Sequence, residues 1–119
     1  MKLAEIAFFT DRVAPMTDFY RRLFGVDPVA SSESMAIFFV NDTKIFIHYK
    51  YAPTSGGLPP ENHQAFMVED VDRVCKQLME QGLVSEFPPQ DFYWGRSAYL
   101  RDPDGHQIEI MRMEKSHAG

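Results

Sequence analysis

The 119-residue sequence contains a single cysteine, Cys75, so no disulfide can form within the chain. It also lacks a signal-peptide core at the N-terminus and any apolar run long enough to span a bilayer. Basic residues are scarce. Twelve Lys and Arg stand against seventeen Asp and Glu, for a formal net charge of -5, and no basic cluster is denser than Arg21-Arg22. That balance argues against nucleic acid or any other polyanion as a partner. What is present is a 45% hydrophobic composition, enough for an ordinary core in a chain of single-domain length. The expectation is one domain, 1–119, in the reducing cytoplasm, with neither a membrane nor a nucleic-acid partner.

An internal repeat organises the chain. Each half opens with a short apolar run, an acidic turn, an amphipathic helix and a glycine. In the first half these are Ala4 to Phe9, Thr10-Asp11, a helix carrying Met16, Phe19, Tyr20, Leu23 and Phe24, and Gly25. In the second they are Ala65 to Val68, Glu69-Asp70, a helix carrying Val71, Val74, Cys75, Leu78 and Met79, and Gly82. Apolar residues at i, i+3, i+4, i+7 and i+8 form the stripe of a helix lying on a sheet, and the glycine supplies a left-handed cap. The modules are expected at about 1–51 and 63–113, joined by a surface linker at 52–62 that is rich in proline and glycine.

After each helix the sequence turns to strands. Ser34 to Val40 and Lys44 to Tyr51 flank Asn41-Asp42, and Arg96 to Arg101 and His106 to Met113 flank Asp102-Pro103-Asp104-Gly105, so each pair predicts a hairpin. Phe87 to Gly95 reads as an irregular, aromatic-rich segment that packs on the body or roofs a pocket.

Alternation along the strands splits their residues into two faces. Ile6, Phe8, Ile45, Ile47, Phe66, Val68, Ala98, Leu100, Ile108 and Ile110 are uniformly apolar and belong under the helices. The opposite face holds Glu5, His48, His63 and Glu109 among aromatics and methionines, which suggests a lined cavity. Taken singly, each of these four is more often a solvated or structural residue than a ligand. Their pairing is less easily dismissed. Glu5 and His63 lie 58 positions apart, near the start of the first strand of each repeat, and His48 and Glu109 are read as a second pair in the last strands. Two imidazoles and two carboxylates suit a borderline divalent ion with room for water.

Asp18-Phe19-Tyr20 through Leu23-Phe24-Gly25, His63 to Val68, and Asp102-Pro103-Asp104-Gly105-His106-Gln107-Ile108-Glu109 together resemble the vicinal oxygen chelate superfamily. That superfamily includes glyoxalase I, methylmalonyl-CoA epimerase, fosfomycin-resistance thiol transferases, extradiol dioxygenases and bleomycin-resistance binding proteins. The resemblance implies an α+β fold of two paired β-α-β-β-β modules, with a curved mixed sheet around a cavity and helices on the outer face. It also implies a homodimer and metal ligands at Glu5, His48, His63 and Glu109. One departure is visible. Bacterial-type glyoxalase I has His then Glu in both modules, whereas the first module here reads Glu then His.

Two functions are expected from this reading. The first is a metal-dependent lyase or isomerase of glyoxalase I type, acting on a small α-hydroxycarbonyl or hemithioacetal substrate. Glu109 would be the first candidate base and Glu5 the second, with nickel, cobalt, zinc or manganese as cofactor. Phe46, Lys50, Met67, Trp94, Tyr99 and Arg101 are the candidates for substrate contact, with Arg12 a further orienting cation. The second function is sequestration of a small molecule without chemistry, as in bleomycin-resistance proteins, supported by the acidic balance and by Phe92, Tyr93 and Trp94.

Overall fold

The computed structural model describes residues 1–53, 58 and 60–113. Of the expected linker, 54–57 and 59 lie outside the described residues. Among the described residues, eight strands and two helices make an α+β fold with a mixed sheet. In chain order they are β1 Lys2–Thr10, α1 Val13–Phe24, β2 Ala30–Ser31, β3 Met35–Val40, β4 Thr43–Tyr49, β5 His63–Met67, α2 Val71–Glu80, β6 Phe87–Phe92, β7 Gly95–Arg101 and β8 Gln107–Met113. Among the described residues, no helix is long and apolar enough to cross a membrane.

Contacts divide the chain into an N-terminal unit, Glu5–Asn62, and a C-terminal unit made of Met1–Ala4 with the residues from His63 on. The N-terminal unit runs β2-β3-β4-β1, with β3 and β4 antiparallel and β1 parallel to β4. The C-terminal unit repeats the plan. Its strands run β6-β7-β8-β5, antiparallel except for the parallel β5 and β8. Both units are thus β-α-β-β-β modules.

The helix-facing strand residues form the expected cores. In the N-terminal unit, Val13, Ala36, Phe38, Ile45 and Ile47 are buried, with Ile6, Phe8, Met16, Tyr20 and Phe24 packed on them. In the C-terminal unit, Val71, Cys75, Ala98 and Ile110 are buried beneath Phe66, Val68, Val74, Leu78, Leu100 and Ile108. The helical stripes are narrower than the sequence suggested. Phe19, Leu23 and Met79 are exposed, because each falls at the flank of the face that its helix turns to the sheet. Gly25 closes α1 at φ 72, a backbone region that costs glycine no steric penalty, and Asp70 caps α2 by accepting from the Arg73 amide.

The segment 87–95 corrects the expectation of irregular structure. Its first six residues form β6, which pairs with β7 at the edge of the described sheet, and the register shifts between Phe87 and Gln90. An edge strand accommodates Pro88 and Pro89, since one side of it needs no donors and a bulge absorbs the misfit. The turn that follows holds only Tyr93 and Trp94 before Gly95 opens β7. The two-residue strand β2 has no signal in the sequence.

Candidate functional site

In the C-terminal unit, the pairing of β5, β8 and β7 lays side chains out as a grid on the face away from α2. His63, Gln107 and Arg101 form one row, Ala65, Glu109 and Tyr99 the next, and Met67, Met111 and Ser97 the third. Polar groups on this face are deeply buried along β7 and β8. Ser97 is fully buried, and Gln107, Glu109 and Tyr99 nearly so. A carboxylate in such a place needs partners, and Glu109 has two in this unit. His63 Nε2 lies 3.3 Å from its Oε1, and the Ser97 hydroxyl donates to its Oε2 at 2.8 Å. Ser97 Oγ in turn accepts from the Trp94 indole at 3.1 Å. The indole is stacked flat on Phe92 at 4.4 Å, and Tyr99 stands edge-on to His63, Phe87 and Phe92. Trp94 and Tyr99 therefore build the wall behind Glu109. Arg101 is engaged elsewhere, with Glu86 Oε2 and the Gly105 carbonyl, both at 2.8 Å.

In the N-terminal unit, Glu5 Oε1 lies 3.3 Å from Lys44 Nζ, and the same ammonium sits 5.0 Å from the centre of the Phe46 ring. His48 is placed differently from the expectation. It packs among Phe9, Phe46, Tyr49 and Tyr51, with Nδ1 2.8 Å from the Tyr49 carbonyl oxygen. The register pairs Glu5 with Lys44 and Phe9 with His48. At roughly 3.3 Å per residue, His48 is thus about 13 Å along the sheet from the row of Glu5. Two donors to one ion, each about 2.1 Å from it, cannot lie more than about 4.2 Å apart, so Glu5 and His48 with their present partners do not share an ion. Lys50 is exposed at the end of this unit, 3.8 Å from Asp11.

The same registers correct the pairing of His48 with Glu109. Ala7 is opposite Phe46 in one unit, and Ala65 is opposite Glu109 in the other. Phe46, not His48, is the repeat partner of Glu109, while His48 corresponds to Met111. The sequence carried the signal. Ile45 and Ile47 flank Phe46 just as Ile108 and Ile110 flank Glu109, so aligning the helix-facing isoleucines gives the right register. Alternation alone puts Ser97 on this face, but a serine becomes informative only once its acceptor is placed.

A family model described as the Glyoxalase/Bleomycin resistance protein/Dioxygenase superfamily matches residues 2–110. The chain belongs to this superfamily. YraH of Bacillus subtilis strain 168, an uncharacterized protein, is 29% identical, with 95% of this chain and 99% of YraH covered. Among solved structures, methylmalonyl-CoA epimerase from Mycobacterium tuberculosis matches with a TM-score of 0.71 at 17% identity, over 98% of this chain and 91% of that one. The Streptomyces coelicolor epimerase in complex with 2-nitronate-propionyl-CoA gives 0.67 at 17%, covering 97% and 96%. A chain described as NAD-dependent benzaldehyde dehydrogenase from Legionella pneumophila gives 0.70 at 20%, covering 92% and 98%. These structural likenesses show the shared fold.

The superfamily implies a divalent ion, and His63 and Glu109 suit one. Donors about 2.1 Å from an ion lie about 3.0 to 3.4 Å apart at coordination angles of about 90° to 109°. The observed 3.3 Å falls within that interval. The donor set is also apt, since imidazole nitrogen and carboxylate oxygen serve the borderline divalent metals.

Proposed function

We propose that this member of the glyoxalase superfamily is a metal-dependent lyase or isomerase acting on a small substrate that chelates through two oxygens. The observation that carries the reading is the pair of half-buried His63 and buried Glu109, with its donors at the spacing of two ligands to one ion. Glu5 is the third ligand of this reading. Its place in the first repeat matches that of His63 in the second, whereas Phe46, which matches Glu109, offers no donor. Three protein ligands leave the remaining positions to water or to substrate oxygens, as catalytic sites require.

A divalent ion held by these residues would supply Lewis acidity towards the oxygens of the substrate. The chain supplies the rest. Ser97 holds Oε2 of Glu109, so Oε1 would be the oxygen that ligates the ion at rest and, once displaced by substrate, takes a proton from the carbon next to the carbonyl. Burial of Glu109 keeps water from competing for the proton. Glu5 is the second proton carrier. Phe46, Met67, Trp94 and Tyr99 furnish apolar contact for the substrate, with Lys50 and Arg101 at the rim. We place the protein in the cytoplasm as a homodimer.

The test is metal uptake followed by turnover. Purified protein is expected to bind nickel, cobalt, zinc or manganese in calorimetry, and to isomerise a hemithioacetal or another α-hydroxycarbonyl compound. Glu109→Gln should lower turnover by about 10²- to 10⁴-fold, the usual contribution of a positioned base. Normal turnover by that variant refutes the role.

A sequestering protein is the rival reading. Its support is the stacked pair of Phe92 and Trp94 with Tyr93 exposed beside it, a surface on which a flat cation would lie. A protein that takes up none of the four metals yet retains a flat cationic ligand favours that rival.

A further inference from the structure

On the grid of the C-terminal unit, His63 and Glu109 are paired with each other and Arg101 is held by Glu86 and Gly105. Gln107, between His63 and Arg101, is different. It is 2% exposed, and its Nε2 has no hydrogen-bond partner among the described residues. Native folds seldom leave a buried donor without an acceptor, and those that persist call for a reason. Position supplies one. Gln107 is the register partner of His63, one strand spacing or about 4.8 Å away, and it stands two residues, about 6.7 Å, along β8 from Glu109. Side chains two apart on a strand share a face, and Ala65, beside Glu109, adds only a methyl group to this corner.

We propose that Gln107 is a substrate-positioning residue whose amide N–H donates to an oxygen of the chelating ligand held at His63 and Glu109. The inference rests on the metal reading above and adds a determinant of specificity to it. An amide suits the task because it donates without carrying charge. It therefore orients a carbonyl or oxyanion oxygen without competing for the ion as another imidazole or carboxylate would. Ligands that present an acceptor oxygen towards Gln107 satisfy its donor. Ligands with a donor or a methyl group there leave it unpaired, a discrimination that buried polar groups make strongly.

The experiment uses the whole protein loaded with cobalt, with acetohydroxamate as a bidentate oxygen probe read by the visible spectrum of the ion. Gln107→Met keeps the length of the side chain and removes the donor. The expected result is unchanged cobalt affinity with acetohydroxamate binding weakened about tenfold. Equal probe binding by wild type and variant overturns the inference, as does wild-type protein that takes up cobalt but not the probe. Failure to take up cobalt at all is a separate result, because it removes the metal reading itself. A second measurement needs no variant. In the zinc-loaded protein, the Gln107 side-chain amide signal should shift in nitrogen-proton spectra when acetohydroxamate is added, and an unmoved signal also overturns the inference.

Discussion

Ser97 donates its hydroxyl proton to Glu109 Oε2 at 2.8 Å, and its direction is fixed by the indole N–H of Trp94, which donates to the same serine oxygen at 3.1 Å. An indole is a donor only, so the serine has to receive there and give its single proton to the carboxylate. Ser97→Ala leaves a carboxylate oxygen buried without that donor, which costs about 1 to 3 kcal/mol. Urea unfolding at neutral pH should show the loss. Metal affinity should fall by roughly tenfold or more, because hydrogen bonds behind a ligand hold its orientation. Ser97→Thr keeps the hydroxyl and should restore most of the metal affinity. A Ser97→Ala protein with wild-type affinity would show that Glu109 needs no such support.

His48 and Glu5 separate the ligand sets drawn from the sequence and from the registers. His48 rests among aromatic rings about four residues along the sheet from Glu5, with its Nδ1 on the Tyr49 carbonyl. His48→Ala should leave divalent-metal affinity within about threefold of wild type, whereas Glu5→Gln, which removes the charge of the proposed ligand, should weaken it by roughly tenfold or more. Calorimetric titration with cobalt measures both. The reverse ranking would restore His48 to the site and remove Glu5.

Much of the fold was legible because its determinants are local. Helical stripes, capping glycines and the turns at Asn41-Asp42 and Asp102 to Gly105 each signal themselves over a few residues, and the apolar face of every strand follows from alternation. Register is less local. The repeat partner of Glu109 depends on how β1 pairs with β4 and how β5 pairs with β8, and counting back from the strand ends fails because the two hairpins have loops of different length. Such a count pairs His48 with Glu109 in place of Phe46. Pro88 and Pro89 hid β6, since their tolerance depends on its position at the edge. Ser97 and Gln107 acquired meaning only from what they meet, or fail to meet, across the sheet.

Arg96 ties the start of α2 to the β6 and β7 hairpin. Its Nε and Nη2 donate to the two Asp72 oxygens at 2.6 and 2.9 Å, and its Nη1 donates to Asp91 at 2.9 Å. Hydrogen bonds from Arg96 hold the Asp72 carboxyl below its ordinary value of 3.8. A carboxyl with a lower pKa in the folded state than in the unfolded state adds stability above the unfolded value. That contribution is lost as pH falls through the folded value. Arg96→Met should therefore be less stable than wild type at pH 7, with the gap narrowing below about pH 3.8. Solvent screening keeps the effect modest, because the pair is largely exposed. Urea unfolding across pH 2 to 7 checks the trend, and a gap that widened in acid would contradict it.

Phe46 offers the most direct test of whether the two repeats address the same ion. It occupies in the first unit the register position that Glu109 holds in the second, opposite an alanine on the neighbouring parallel strand in both cases. It is partly buried, and the Lys44 ammonium lies over its ring. Phe46→Glu puts a carboxylate at that position next to an existing cation, so the new charge has a local partner. If both repeats serve one ion, a fourth ligand should tighten cobalt binding by about tenfold or more, since affinity rises with ligand charge and count. It should also alter the visible spectrum of bound cobalt and lower turnover, because a position needed by substrate oxygens becomes occupied. Unchanged cobalt affinity and spectrum would mean that residue 46 lies outside coordinating reach, and the proposal of Glu5 as a ligand would lose its support from the repeat.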